Sequence, residues 1–378
     1  MLPAAPAQAG SLTEVMPSLS ASMRGEANAL RLPAVQSAVV VLIDGLGVLN
    51  LRASAGHARF LSAQSARRLE TVFPSTTAVA LSSLTTGRWP GEHGMLGYRV
   101  LDHEHDRLVN LLSGWDDGAD PTLWQRRPTI FSAQSQRSVV ISSARYEHSG
   151  FTKAVLRGAA FVGAESLDDR MDAVVSEVRS GPSLVYCYVP ELDQAAHAYG
   201  TDSQHWLTAL ENVDAALQSL AGRLPKGVGV AVTADHGIVD VPEHRHLELD
   251  AAMLAPFRHV GGEPRGLQLW FHAEVVEKQR SDILDALRTD LQAHAWVFSR
   301  DEAVRAGLLG TVDSSVIARF GDLVIAAKSG AAFYHADVEP ASRRMIGQHG
   351  SWTDQERLIP LIGFGAYQNF PGATASKR

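Results

Sequence analysis

The chain has 378 residues, 45% of them hydrophobic and 20% charged, with a formal net charge of −7. That is the composition of a globular protein long enough for one main α/β domain and a subordinate lobe, and its acidic balance argues against a general nucleic-acid-binding surface. The single cysteine, Cys187, excludes an internal disulfide framework and any multi-cysteine metal site.

In chain order, "MLPAAPAQAGSLTEVMPS" lacks a basic start followed by an apolar run, and no stretch reaches the length of a membrane span. A cytoplasmic protein with no membrane partner is expected. The first predicted strand, "SAVVVLI" (37–43), runs directly into Asp44 and "GLG". Next, "VFPSTTAVALSSLTTG" reads as a strand end at Val72, a proline-fixed turn and a helix from Thr77 that Gly87 caps. Most of its hydroxyls read as caps and back-bonding side chains. A hydroxyl in the first turn, however, faces the positive end of the helix, where phosphate binds readily.

In the following "WPGEHGMLGYRV", His93 reads as an ordering residue of the loop, and Trp89, Trp115 and Trp124 as packing. "HEHD" (103–106) and "EHRH" (243–246) sit among charged residues and read as solvated loops. Strands follow at "SVVIS" (138–142), at "SLVYCYV" (183–189), where Cys187 is a core residue, at "VGVAVTA" (228–234) and at "LIPLIGFG" (358–365). Amphipathic helices are predicted at 167–179 and 203–220. Between Leu247 and Ile346 the pattern changes to the strands "GLQLWFH" and "DLVIAA" with a helix near 274–294. The expected fold is therefore α/β, a mostly parallel sheet with helices on both faces, with a core over 30–246 and 347–370 and an inserted smaller α+β lobe over 247–346.

Ligands bind outside the carboxyl ends of strands in open α/β sheets. Asp44 and Asp235 follow their strands directly, and Asp193 comes just after "VYCYVPEL". In "DQAAH", Asp193 and His197 are four apart, which on a helical turn places both on one face able to grip one ion. His236 adjoins Asp235 in "ADHG", and His349 lies in "GQHGS" just before the last strand. Taken singly, each of these is a helix cap, a surface turn or a loop residue. Together they form an oxygen and imidazole donor set without thiolate, which suits Zn²⁺ or Mn²⁺.

The order "DGLG", "PSTT…TTG…P…HG", "D…H", "DHG" and a late "HG" resembles the alkaline phosphatase superfamily, and most of all its type I phosphodiesterase and nucleotide pyrophosphatase branch, with the phosphonoacetate hydrolases as near relatives. The similarity runs from Val39 to Gly365 apart from most of the inserted lobe. It implies two divalent metal ions, one held by Asp193, His197 and His349 and the other by Asp44, Asp235, His236 and the nucleophile. It also implies a nucleophile ten residues before the glycine of "TG", which is Thr77, with Thr76 as the fallback. Ala80 falls where the resemblance implies a phosphate-holding Asn, so that another donor or a different substrate is expected. Arg88 follows Gly87 with nothing in the sequence to turn it inward.

The expected function is metal-dependent hydrolysis of phosphodiester or pyrophosphate bonds in a small-molecule phosphate ester, through a covalent phosphothreonine and with no nucleic acid polymer as partner. A phosphomonoesterase or a phosphonate (phosphonoacetate-like) hydrolase is the alternative within hydrolases. A metal-stabilised binding protein without catalysis is the alternative of another class, disfavoured because every ligand position is filled.

Overall fold

A computed structural model describes residues 2–7, 10–115, 119–338 and 340–370. The first strand, β1 (Ser37–Ile43), is buried along its whole length, as a strand covered on both faces must be, and hence reads as an unbroken apolar run. The second, β2 (Ser65–Glu70), is half solvated. Helix α1 (Thr77–Thr86) follows, then a hairpin of β3 (Arg99–Asp102) and β4 (Arg107–Asn110) outside the main sheet. Strands β5 (Arg137–Ser142) and β6 (Ala160–Gly163) lead to helix α2 (Leu167–Ser180). Then come β7 (Ser183–Val189), helices α3 (Glu191–Tyr199) and α4 (Gln204–Arg223), and β8 (Val228–Thr233).

The region after β8 builds a second, four-stranded antiparallel sheet from β9 (Phe257–Glu263), β10 (Gly266–Phe271), β11 (Ala295–Ser299) and β12 (Leu323–Ala327). Helix α5 (Glu277–Leu291) packs on it through Leu287 and Leu291, against a core that includes Leu267, Leu269 and Ile325. The chain then returns to the main sheet as β13 (Leu358–Gly365).

The main sheet has the order β2-β13-β8-β1-β7-β5-β6. From β8 to β6 all neighbours are parallel, whereas β13 runs antiparallel to both β8 and β2. Within the parallel part, Leu42 pairs with Tyr188 on one side and Thr233 on the other. The chain therefore leaves β1, β7 and β8 at one edge, and Asp44, the segment leading to Asp193, and Asp235 emerge together. Gly45 makes the first of these exits with a φ of 75°, and a Cβ there would lie 2.5 Å from Ile238, so glycine suits the position.

Helix α1 is buried throughout, which is unusual for so many hydroxyls, and each finds a hydrogen-bond partner inside the fold. Ser82, Thr85 and Thr86 donate to the carbonyls of Ala78 (2.7 Å), Leu81 (2.9 Å) and Ser82 (2.6 Å) one turn back. Ser75, in the preceding turn, donates to the Ser351 carbonyl (2.7 Å). Gly87 ends the helix in the left-handed conformation, with φ 66°. Ser83 meets His93 Nε2 at 2.8 Å, and His93 Nδ1 accepts from the Met95 amide (3.1 Å), so this fully buried ring orders the loop after the helix.

The lobe is tied to the core by an ion pair. Arg265, in the β9–β10 turn, and Glu356, just before β13, are both fully buried and meet through two parallel bonds of 2.7 and 2.9 Å. The rest of each group is satisfied. Arg265 also donates to the Ala331 carbonyl (2.6 Å), and Glu356 accepts from the Ser351 amide (2.9 Å) and the Thr353 hydroxyl (2.6 Å). Among the described residues no helix is long and apolar enough to cross a membrane.

Two outcomes follow from these buried groups. Replacing Arg265 by Ala leaves Glu356 charged and buried, and chemical denaturation is expected to show a loss of about 3–5 kcal/mol. Burial, aided by Arg127, pushes His93 down to about 3. The native state then resists a proton that the unfolded chain takes up near pH ~6.5, so stability present above that pH is lost as pH falls toward about 3. For the metal-free protein, about 2 kcal/mol of unfolding free energy is expected to disappear between pH 6.5 and 5 through this residue. His93→Gln would flatten that slope, and an unchanged slope would contradict the account.

Candidate metal centre and active site

Asp44, Asp235 and His236 meet at the carboxyl edge of β1 and β8. His236 Nε2 lies 3.5 Å from Asp44 Oδ1 and 3.4 Å from Asp235 Oδ2, and 3.2 Å from Thr77 Oγ1. Beside them, helix α3 presents Asp193 and His197 on one face, with Asp193 Oδ2 and His197 Nε2 3.2 Å apart. His349 completes this second group, and its ring stacks on that of His236 with centroids 3.7 Å apart. The donor atoms of Asp193, His197 and His349 lie within 4.8 Å of one another, as do those of Asp44, Asp193 and His236. Asp193 thus stands between the two groups, a placement that the sequence motifs did not specify.

All three imidazoles are held the same way round. His197 Nδ1 donates to the Gly347 carbonyl (2.7 Å), His349 Nδ1 to the Ser75 carbonyl (3.0 Å) and His236 Nδ1 to the Gly237 carbonyl (3.3 Å). With Nδ1 protonated and engaged, each Nε2 lone pair faces the shared space, the arrangement that orients imidazole toward a cation.

The carboxylates point to the same conclusion. Among the described residues Asp44 Oδ1, Asp193 Oδ1 and Asp235 Oδ2 are buried with no hydrogen-bond partner. Asp235 Oδ1, by contrast, accepts from the amides of Gly45 (3.2 Å) and His236 (3.0 Å). Burial, with Asp235 and Asp193 close by, holds Asp44 well above the usual carboxylate range. Burial also opposes ionisation of Asp193, but His197, and after it His349 and His236, outweigh that and hold it below the usual range. His349 is pushed well below the usual imidazole value by burial and by His236. Orphaned oxygens on clustered buried acids are costly unless a cation stands among them, and this donor set fits divalent metal ions.

Two contributors escaped the sequence reading. The Tyr188 hydroxyl donates to Asp44 Oδ2 and fixes that carboxylate, leaving Oδ1 to face His236. Its signal was present in the alternation of "YCYV" but did not distinguish it from a core tyrosine. Glu263, at the end of β9 in the lobe, reaches to 3.6 Å from His349 Nδ1. Burial, with Glu356 nearby, raises its pKa well above the carboxylate range. No local pattern marks Glu263, because its approach is created by the lobe folding back on the core.

The opening turn of α1 carries no side-chain cap, so its first amides remain available to an anion. Thr76, the residue before the helix, makes no side-chain cap bond, while Thr77 Oγ1 faces His236. Ala80 is fully buried in α1 and does not line the cavity. Arg88 points outward, 3.5 Å from Glu92. Trp115 and Trp124 pack edge to face with centroids 6.4 Å apart and, like Trp89, lie outside the cavity. His103 bonds the Ala318 carbonyl and Asp106 pairs with His259, and neither "HEHD" nor "EHRH" forms a ligand cluster among the described residues. Cys187 is buried, and burial raises its thiol to about 12, as a core residue.

Thr77, Asp44, Asp193, His197 and His349 open into a cavity of about 910 Å³, lined also by the β3–β4 hairpin and by the lobe. That volume is of the size that encloses whole small-molecule ligands.

Comparison with known proteins agrees with this geometry. Residues 38–352 match the family model of the type I phosphodiesterases/nucleotide pyrophosphatases. An uncharacterised pyrophosphatase/phosphodiesterase of Schizosaccharomyces pombe is 25% identical over 194 residues, which is 47% of this chain and 39% of that protein, so the chain spans about two fifths of its length. Murine ectonucleotide pyrophosphatase/phosphodiesterase 5, as an inactive threonine-to-alanine variant in complex with AMP, superposes with a TM-score of 0.68 at 18% identity, covering 89% of this chain and 90% of that one. Phosphonoacetate hydrolase of Sinorhizobium meliloti 1021, in complex with phosphonoformate, superposes with a TM-score of 0.68 at 19% identity, covering 92% and 94%. At these identities the two structures establish a shared fold, and the family match goes further: the chain belongs to the type I phosphodiesterase/nucleotide pyrophosphatase family of phosphodiester hydrolases.

Proposed function

We propose that this chain cleaves phosphodiester or pyrophosphate bonds of a small molecule, with Thr77 as nucleophile and two divalent cations, Zn²⁺ before Mn²⁺. The observation that carries the reading is Thr77 Oγ1 at the uncapped start of α1, 3.2 Å from His236 Nε2 and beside the orphaned carboxylate oxygens. Asp193, His197 and His349 would hold one cation, and Asp44, Asp235 and His236, with Thr77, the other. When bound, such cations supply the positive charge that favours the ionised threonine oxygen and offsets charge on the departing one.

Thr77 Oγ then forms a bond to phosphorus as the bond to the departing oxygen breaks, and the hydroxyl proton ends on the departing group. Water cleaves the resulting phosphothreonine and restores the hydroxyl. The free amides of the first turn face the phosphoryl oxygens, and the carbonyl-anchored imidazoles keep the centre rigid. The family match and the murine variant, whose name gives it as inactive with its threonine replaced, support the assignment. A cavity of about 910 Å³ holds far more than inorganic phosphate, which favours a diester or pyrophosphate over a simple monoester or a small phosphonate.

Thr77→Ala is expected to lower kcat on bis(4-nitrophenyl) phosphate by about a thousandfold or more, whereas Thr76→Ala retains measurable turnover. A Thr77→Ala protein with full activity would remove the nucleophile assignment. Chelation is expected to abolish activity and added Zn²⁺ or Mn²⁺ to restore it. Faster cleavage of 4-nitrophenyl phosphate or phosphonoacetate than of the diester would shift the substrate class to monoesters or phosphonates.

A further inference from the structure

The charged groups around the cavity are sorted by position. Among the described residues lining it, the carboxylates are Asp44, Asp193 and Glu263, all gathered around Thr77 and the imidazoles, and the guanidinium groups are Arg99 and Arg107, both on the β3–β4 hairpin. Under that hairpin a second cavity of about 480 Å³ opens into the lobe, and the two share Arg99, Leu108, Val260 and His335 as walls. The two cavities therefore adjoin across these four residues. The second has an apolar floor that includes Leu249, Leu254 and Phe257.

Most cations along this route already have acids. Arg107 faces Asp102 at 3.7 Å, and Arg258 and His259 meet Asp106 at 3.2 and 2.7 Å. Asp337, the acid of the second cavity, has its side chain 95% exposed and lies 3.8 Å from His335 Nδ1. Arg99 is different: it is exposed at the rim shared by both cavities and forms no ion pair with any described residue. Its strand is also firmly placed. The Arg99 carbonyl lies against Gly261 of β9, where a Cβ would come within 2.6 Å of it, so only glycine allows the hairpin to seat this closely on the lobe. Arg99 and His335 both line each of the two cavities, so the guanidinium-bearing residue stands at the junction.

We infer that the active site selects phosphodiesters in which one of the two organic groups carries a second negative charge, a carboxylate or phosphate set apart from the scissile phosphorus, and that Arg99 receives it. The inference rests on the phosphodiester reading above and adds a specificity determinant to it. A planar guanidinium with no acid of its own is suited to grip either anion through paired N–H donors. In a chain of net charge −7, an unpaired arginine at the junction of two cavities gives the anion a defined destination.

The test compares three chromogenic diesters: phenyl 4-nitrophenyl phosphate, 3-carboxyphenyl 4-nitrophenyl phosphate, with the charge on the retained ring, and phenyl 3-carboxy-4-nitrophenyl phosphate, with the charge on the departing ring. With Zn²⁺ or Mn²⁺ present, the native protein is expected to favour at least one charged probe over the neutral one by about tenfold in kcat/KM. Arg99→Gln is expected to remove that ratio, Arg99→Lys to keep most of it and Arg99→Glu to invert it. No preference in the native protein, or a preference that survives Arg99→Gln, overturns the inference. Failure to cleave any of the three diesters with metal present would instead overturn the phosphodiester reading itself.

Discussion

Carboxylates buried side by side at one sheet edge cannot all ionise without positive charge among them, and this constraint governs the rest of the centre. The opposite pulls on Asp44 and Asp193 follow from it. Asp44, buried with acids for neighbours, is held well above the usual carboxylate range, whereas for Asp193 the imidazoles on its other side outweigh burial and hold it below that range. Each oxygen that the protein can satisfy is satisfied, by Tyr188 on Asp44 and by two amides on Asp235. The oxygens left over face inward together, and a divalent cation is the partner that matches them.

The same logic separates Thr77 from its neighbours. Ser82, Thr85 and Thr86 spend their protons on carbonyls one turn back, Ser83 engages His93 and Ser75 engages Ser351. These bonds let a hydroxyl-rich helix be fully buried. They also leave Thr77 as the hydroxyl of the helix that meets a site imidazole, at the end of α1 where the amides and the macrodipole favour an anion. The lobe contributes through Arg265 and Glu356, which bind its β9–β10 turn to the segment beside His349, and through Glu263, which the same turn carries into the centre.

Much of the fold was legible because its strongest elements are local. Strands β1, β7 and β13 coincide with the predicted apolar runs, and α2 and α4 begin where Ser166 and Ser203 cap them. The antiparallel direction of β13 and its pairing with β2 were not legible. A strand's neighbours are set by tertiary packing, and the half-solvated "SARRLE" has no apolar run to announce it. In the centre, the strand-end acids and their histidines were visible as motifs, since each sits at the end of a clear element. Glu263 and Tyr188 were not, because one arrives from a distant hairpin and the other looks like core.

The central claim is that the inward-facing acids and imidazoles are completed by two divalent cations. It is tested most directly by calorimetric titration of the metal-free protein with Zn²⁺. The account predicts saturation at two equivalents per chain, with one equivalent lost in His197→Ala and the other retained. Saturation at one equivalent or none in the native protein, with the chain folded, would contradict it.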